Sequence, residues 1–144
     1  MERRDFVKTT CVSCIGILGG GTLLSLLNSC APLPVLKTSS KENTLLIPES
    51  SFMEKQTVLI VKNSNLEFDI LLVKKKDNTY NALYMQCTHQ NQPLAATKTG
   101  LFCSAHGSAF NLNGEVTVEP ATQSLRKFKT QTENNNVIIY LTAS

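Results

Sequence analysis

The chain has 144 residues, 42% of them hydrophobic and 17% charged, with a formal net charge of +3. That balance fits one modest domain with extras and excludes wholesale disorder. It also argues against a nucleic-acid binder: tryptophan is absent, the positive residues form no stripe with interleaved aromatics, and Lys74-Lys75-Lys76 reads as a solvated strand end before an Asp77-Asn78 turn.

The first thirty residues read as an address. Glu2-Arg3-Arg4-Asp5-Phe6-Val7-Lys8 precedes an apolar stretch, Cys11 to Leu27, diluted by Gly16, Gly19, Gly20 and Gly21. This resembles a twin-arginine export signal, a basic region followed by an apolar one, and is set apart from the fold. The Cys11-x-x-Cys14 spacing within it is read as small apolar filler. Leu27-Asn28-Ser29-Cys30 resembles a lipobox, which implies a mature chain beginning at a lipidated Cys30. The competing reading is an uncleaved transmembrane anchor; four glycines, and a length near the short end of the roughly 17–25 residues a spanning helix needs, weigh against it. Either way the domain is expected outside the cytoplasm, tethered to a membrane through lipid or an N-terminal anchor. Residues 31–43, rich in Pro, Ser, Thr and Lys, are expected to be a linker.

From Thr44 the pattern becomes short apolar runs broken by turn residues. The expected strands are Thr44–Ile47, Thr57–Lys62, Phe68–Lys75, Tyr80–Gln86, Glu115–Val118, Leu125–Gln131 and Val137–Leu141. β-Branched residues and alternation favour strands over helices there. Asp77-Asn78 and Glu133-Asn134-Asn135-Asn136 are hairpin-type turns, and Asn113-Gly114 is a tight turn. Residues 44–144 are therefore expected to form one all-β domain, interrupted from Cys87 to about Asn111 by a segment rich in turn formers such as Pro93, Gly100 and Gly107.

That interruption holds the chemistry. Cys87-Thr88-His89 is followed, after thirteen residues, by Cys103-Ser104-Ala105-His106-Gly107-Ser108, and His89 and His106 are the two histidines of the chain. Each box offers one thiolate and one imidazole. The C-x-H and C-x-x-H boxes resemble those of the Rieske iron–sulfur proteins, in which two Cys hold one iron of a 2Fe-2S cluster and two His the other. The similarity continues through Gly107-Ser108-Ala109-Phe110-Asn111, Gly114-Glu115-Val116, Glu119-Pro120-Ala121 and Leu125.

The resemblance implies an antiparallel β-sandwich with an inserted cluster-binding lobe. It implies that Cys87 and Cys103 ligate the inner iron, and His89 and His106 the outer, more exposed one. Gly107 would let the backbone pass close to the cluster, and Ser108 matches the serine that hydrogen-bonds a bridging sulfide. Ring nitrogens that lose protons on oxidation would couple the potential to pH. The cysteine pair that joins the two loops as a disulfide in quinol-oxidising members is replaced by Gln92 and Ala105, and the tyrosine two residues after the serine by Phe110. Asn91 stands where a glycine is common. Fewer hydrogen bonds to sulfur imply a lower potential than theirs.

The expected function is one-electron transfer between a redox donor and acceptor that the sequence does not name, with no catalytic residue of its own. The chain has no room for an oxygenase domain, and both histidines are used. The alternative is the Rieske subunit of a quinol-oxidising cytochrome bc-type complex. A third class, a tetrahedral zinc site on the same four side chains, fits the C-x-H spacing and the His106-Gly107-Ser108 continuation poorly.

Overall fold

The computed structural model describes residues Pro32 to Thr142. The signal, lipobox and anchor readings of residues 1–30 lie outside the described residues. Among the described residues no helix is long and apolar enough to cross a membrane.

The run Ile70-Leu71-Leu72-Val73 shows why the fold has two cores. All four side chains are buried within strand β4 (Ile70–Lys74). Side chains alternate along a strand, so a continuous apolar run must be covered on both faces. Ile70 and Leu72 enter one cluster with Leu59 and Val61 of β3 (Val58–Lys62), and with Leu45, Ile47, Val137 and Ile139. Leu71 and Val73 face the other way, into a cluster with Val58, Leu83, Met85, Cys87, Cys103 and Phe110. The second core therefore packs against the segment that carries the boxes.

The main sheet has seven strands in the order β1-β3-β4-β5-β10-β11-β2. β1 is Val35–Lys37, β2 Thr44–Pro48, β5 Tyr80–Tyr84, β10 Lys127–Glu133 and β11 Asn136–Tyr140. The first core joins β2 and β11, at one end of this order, to β3 and β4 near the other. The sheet thus curls on itself, and the expected all-β sandwich is the architecture found. Its turns follow the sequence signals. Asn134 and Asn135, both at positive φ (49° and 60°), make a two-residue hairpin between β10 and β11. Asp77 accepts bonds from the Thr79 hydroxyl (2.7 Å) and N–H (3.0 Å), which close the β4–β5 hairpin and hold its carboxyl below the ordinary value.

Two differences from the sequence reading stand out. Residues 31–43, expected as linker, contain β1, which pairs parallel with β3 from Val35↔Ile60 to Lys37↔Lys62. Thr38 N–H and Ile60 N–H extend that pairing to Lys62 and Pro34 carbonyls (3.0 and 2.9 Å). The interruption also contains three strands, β6 (Ala95–Ala96), β7 (Gly100–Phe102) and β8 (Ala109–Asn111), which join β9 (Val116–Val118), within the expected strand Glu115–Val118, in a second sheet of order β6-β7-β8-β9. The strands inside the interruption, of two or three residues each, give no period to read.

The small sheet and its loops lie in sequence between β5 and β10, which are themselves paired at Leu83↔Lys127 and Ala82↔Phe128. The lobe therefore leaves the main sheet and returns to it on adjacent strands.

Candidate metal centre

Each box forms the tip of one loop, and the two loops share a hydrogen-bond pattern. In the first, Cys87 N–H donates to the Gln92 carbonyl (2.8 Å) and Asn91 N–H to the Cys87 carbonyl (2.9 Å). In the second, Cys103 N–H donates to the Ser108 carbonyl (2.8 Å) and Gly107 N–H to the Cys103 carbonyl (3.0 Å). The residue four after each cysteine has positive φ, Asn91 at 50° and Gly107 at 83°. The need at Gly107 is conformational: no protein atom lies within 4 Å of where its Cβ would be. Asparagine is the side chain that best tolerates this region after glycine, which accounts for Asn91.

The pattern sets the depths of the four candidate ligands. Cys87 and Cys103 are each 1% exposed, in the second core. His89 and His106 sit on the loop tips and are exposed. The structure brings the two imidazoles together, ring centroids 5.0 Å apart and planes at 87°. Both thiols are free. With Gln92 and Ala105 both on the exposed loop surface, no cross-loop disulfide is available.

A third loop, Glu119–Leu125, between β9 and β10, braces the other two. Thr88 Oγ1 donates to the Gln123 carbonyl (2.6 Å), tying down the first box. Ala121 N–H donates to Ser108 Oγ (3.0 Å), tying down the second. Ser108 is fully buried, and its hydroxyl proton remains to be donated. Phe110, in β8, is buried among the same residues as the two cysteines. Ser108 and Ala121 lie in stretches that carry the sequence resemblance, but nothing in the sequence assigns a role to Thr88 or Gln123. Thr88 lies inside the first box, yet its partner is 35 residues away and only the fold brings it near.

The donor set fits a binuclear cluster. Two buried thiols suit an inner iron, and two exposed imidazoles an outer one.

Comparison with known proteins agrees. The model of the Rieske 2Fe-2S domain matches residues 43–129, more than half of the chain, and the chain belongs to this family. Its cofactor is a 2Fe-2S cluster, and its chemistry is electron transfer with redox partners. No curated protein matches in sequence. Among solved structures, the chain is similar to the plasma membrane Rieske protein PetC3 of the cyanobacterium Synechocystis PCC 6803, with TM-score 0.55 and 21% identity over 65% of this chain and 96% of that one. It is similar to a chain of the complex of reduced oxygenase and oxidised ferredoxin in carbazole 1,9a-dioxygenase, with TM-score 0.53 and 20% identity over 70% of this chain and 95% of that one. A naphthalene 1,2-dioxygenase mutant bound to phenanthrene gives TM-score 0.56 and 17% identity over 69% of this chain and 26% of that one. These identities carry the fold alone.

Proposed function

We propose that the chain is an exported, membrane-tethered one-electron carrier, with Cys87 and Cys103 on the inner iron of its cluster and His89 and His106 on the outer. The observation that carries this is the depth difference within the site: both cysteines are 1% exposed, while both imidazoles lie at the surface with ring centroids 5.0 Å apart. When bound, the cluster supplies a centre that takes up and releases one electron. The chain's residues do the rest. The cysteines keep the inner side away from water. The exposed imidazole edges give a short path to a partner. The Ser108 hydroxyl, fixed by Ala121 N–H, has its proton to offer to sulfur, which favours added negative charge.

Export and tethering rest on the sequence: the twin-arginine-like Arg3-Arg4 region, the apolar stretch and Cys30. That route carries folded proteins, which suits a domain that must fold around a cluster made in the cytosol. Gln92, Ala105 and Phe110 weigh against a subunit of a quinol-oxidising complex.

The test combines iron and acid-labile sulfide analysis of the purified full chain, electron paramagnetic resonance of the reduced protein, and fractionation of the producing cells. Two irons and two sulfides per chain, a Rieske-type signal lost in Cys103→Ala, and recovery in the membrane fraction are expected. Stoichiometric zinc without iron would sink the carrier reading. Recovery in the cytosol with an unprocessed, unlipidated N-terminus would sink the export reading.

A further inference from the structure

The small sheet presents one apolar rung at the end where the three loops meet. Ala95 pairs with Phe102, Phe102 with Ala109, and Ala109 with Val118. Directly paired residues share a face, so these four side chains form one row across four strands, about 14 Å long at the usual strand spacing. The neighbouring rung, Ala96, Leu101, Phe110 and Val116, points inward to the second core. The outer rung has no such cover: Phe102 is 45% and Val118 52% exposed. The row borders every loop of the site. The first loop runs into Ala95, the second lies between Phe102 and Ala109, and the third begins after Val118.

The segments that build this face carry almost no charge. Residues 86–97, 99–114 and 120–125 contain no Asp, Glu, Lys or Arg. Lys98 and Glu115 lie in the turns at the far end of the small sheet, and Glu119 follows Val118 at the loop end. Beside the first loop, Lys62 of β3 and Glu67 and Asp69 of the β3–β4 connection line a cavity with Pro93 and Leu94, Lys62 and Asp69 being paired to each other at 3.2 Å. The other large exposed apolar side chains among the described residues, Val35, Leu46 and Met53, share no rung. Single exposed apolar residues are ordinary, whereas an aligned apolar row marks an interaction site.

Building on the electron-carrier reading above, we propose that this outer rung, with the uncharged loop tips beside it, is the docking face for a redox protein whose own electron-exchange face is apolar and uncharged. A partner that steers by charge would find little to pair with on the rung and the loop tips themselves, and burying its unmatched charges against them would oppose binding. Transient electron-transfer contacts are small, so one apolar row beside the imidazoles is enough surface to orient them. Encounter without steering is slower, and insensitive to salt.

The test uses the reduced full-chain holoprotein and three oxidants: ferricyanide, a blue-copper protein whose copper face is uncharged and apolar, and a cytochrome c whose haem edge is ringed by lysines. Phe102→Lys and Val118→Lys each put a charge on the rung from a different strand, and Lys74→Glu is a control on the distant β4–β5 hairpin. The expected second-order rate to the blue-copper protein varies less than about two-fold from low to high salt. It falls at least about ten-fold in each rung variant and not in the control, and it exceeds the rate to the cytochrome at high salt. At high salt, where the added lysine is screened from the ferricyanide anion, ferricyanide oxidation should stay as in the wild type, and so should the resonance signal, which separates lost docking from a damaged cluster. Unchanged blue-copper rates in both rung variants, or a steep salt dependence in the wild type, would overturn the docking face while leaving the carrier reading intact. A cluster that ferricyanide cannot oxidise would bring down the carrier reading, and the docking face with it.

Discussion

Asn91 and Gly107 hold the same place in two loops that share little sequence. Each follows its cysteine by four residues, donates its N–H to that cysteine's carbonyl, and has positive φ. The repeated geometry predicts unequal tolerance. Gly107→Ala should cost about 1–2 kcal/mol, because a Cβ is penalised in left-handed backbone even with no protein atom within 4 Å to meet it. Asn91→Gly should be close to neutral, and Asn91→Val should cost more than Gly107→Ala, since β-branching suits this region worst. Urea unfolding and the half-life of the visible absorbance under chelation measure both. Equal tolerance at the two positions would contradict the account.

The braces from the third loop should matter more here than in a protein with a cross-loop disulfide. Thr88→Val removes one hydrogen bond at nearly constant volume and should cost about 1 kcal/mol. It should also hasten cluster loss under chelation, while Thr88→Ser restores the wild-type rate. Ser108→Ala leaves the Ala121 N–H without its acceptor in a buried setting, a cost of about 1–3 kcal/mol, and should lower the midpoint potential too. A loss of stability with no change in potential would confine Ser108 to a structural role.

Phe110 sets an expectation for the potential itself. With no hydroxyl at this position, the midpoint should fall toward the lower part of the range of about −150 to +300 mV for such centres. Phe110→Tyr should raise it. One net hydrogen bond of about 1 kcal/mol corresponds to about 40 mV for one electron. A redox titration followed by electron paramagnetic resonance checks both values. A wild-type midpoint near the top of the range would revive the quinol-oxidising reading.

Gly100 tests the small sheet. A Cβ there would stand 2.5 Å from the Phe110 carbonyl oxygen, a backbone atom fixed by the β7–β8 pairing. Gly100→Ala should therefore force the two strands apart and cost at least about 2 kcal/mol, on the scale of overpacking in a filled core. Thermal unfolding followed by near-ultraviolet circular dichroism measures it. A shift of less than a degree would mean that β7 and β8 separate freely.

The main core offers a pH test. Tyr80 donates its hydroxyl to Glu49 Oε1 (2.9 Å), and burial, with that carboxylate beside it, pushes its pKa up to about 12. The folded value lies above the unfolded one near 10. The contribution is therefore whole below about pH 10 and is lost as pH rises toward 12. Tyr80→Phe should lower stability by about 1 kcal/mol at pH 8, and the gap to wild type should shrink by pH 12. A constant gap across that interval would show that the phenol ionises alike in both states.

The sequence made the large strands visible because their signals are long. Val58–Lys62, Ile70–Lys74 and Asn136–Tyr140 are rich in β-branched and leucine side chains, and their ends shifted by only a residue or two. Asn134-Asn135 read as a turn because asparagine tolerates the positive φ that both adopt. β1 was hidden: Val35-Leu36-Lys37 sits among Pro, Ser and Thr, and its order comes from a partner, β3, more than twenty residues on. Of the small sheet, β9 fell within the expected strand Glu115–Val118, whereas β6 and β7 were hidden because Ala95-Ala96 and Gly100-Leu101-Phe102 are too short for alternation to show. The four candidate ligands were legible from spacing, whereas the bond from Thr88 to Gln123 depends on the tertiary path of the third loop.

The lobe departs from β5 and rejoins at β10, strands already held side by side at Leu83↔Lys127 and Ala82↔Phe128. Closing a loop of its length, residues 85–126, carries a length-dependent entropy of roughly 3 kcal/mol. That closure is met by the pairing of β5 with β10 in the main sheet. Cluster assembly then has only three short tips to arrange, and the work of bringing distant parts of the chain together belongs to a scaffold that can form first.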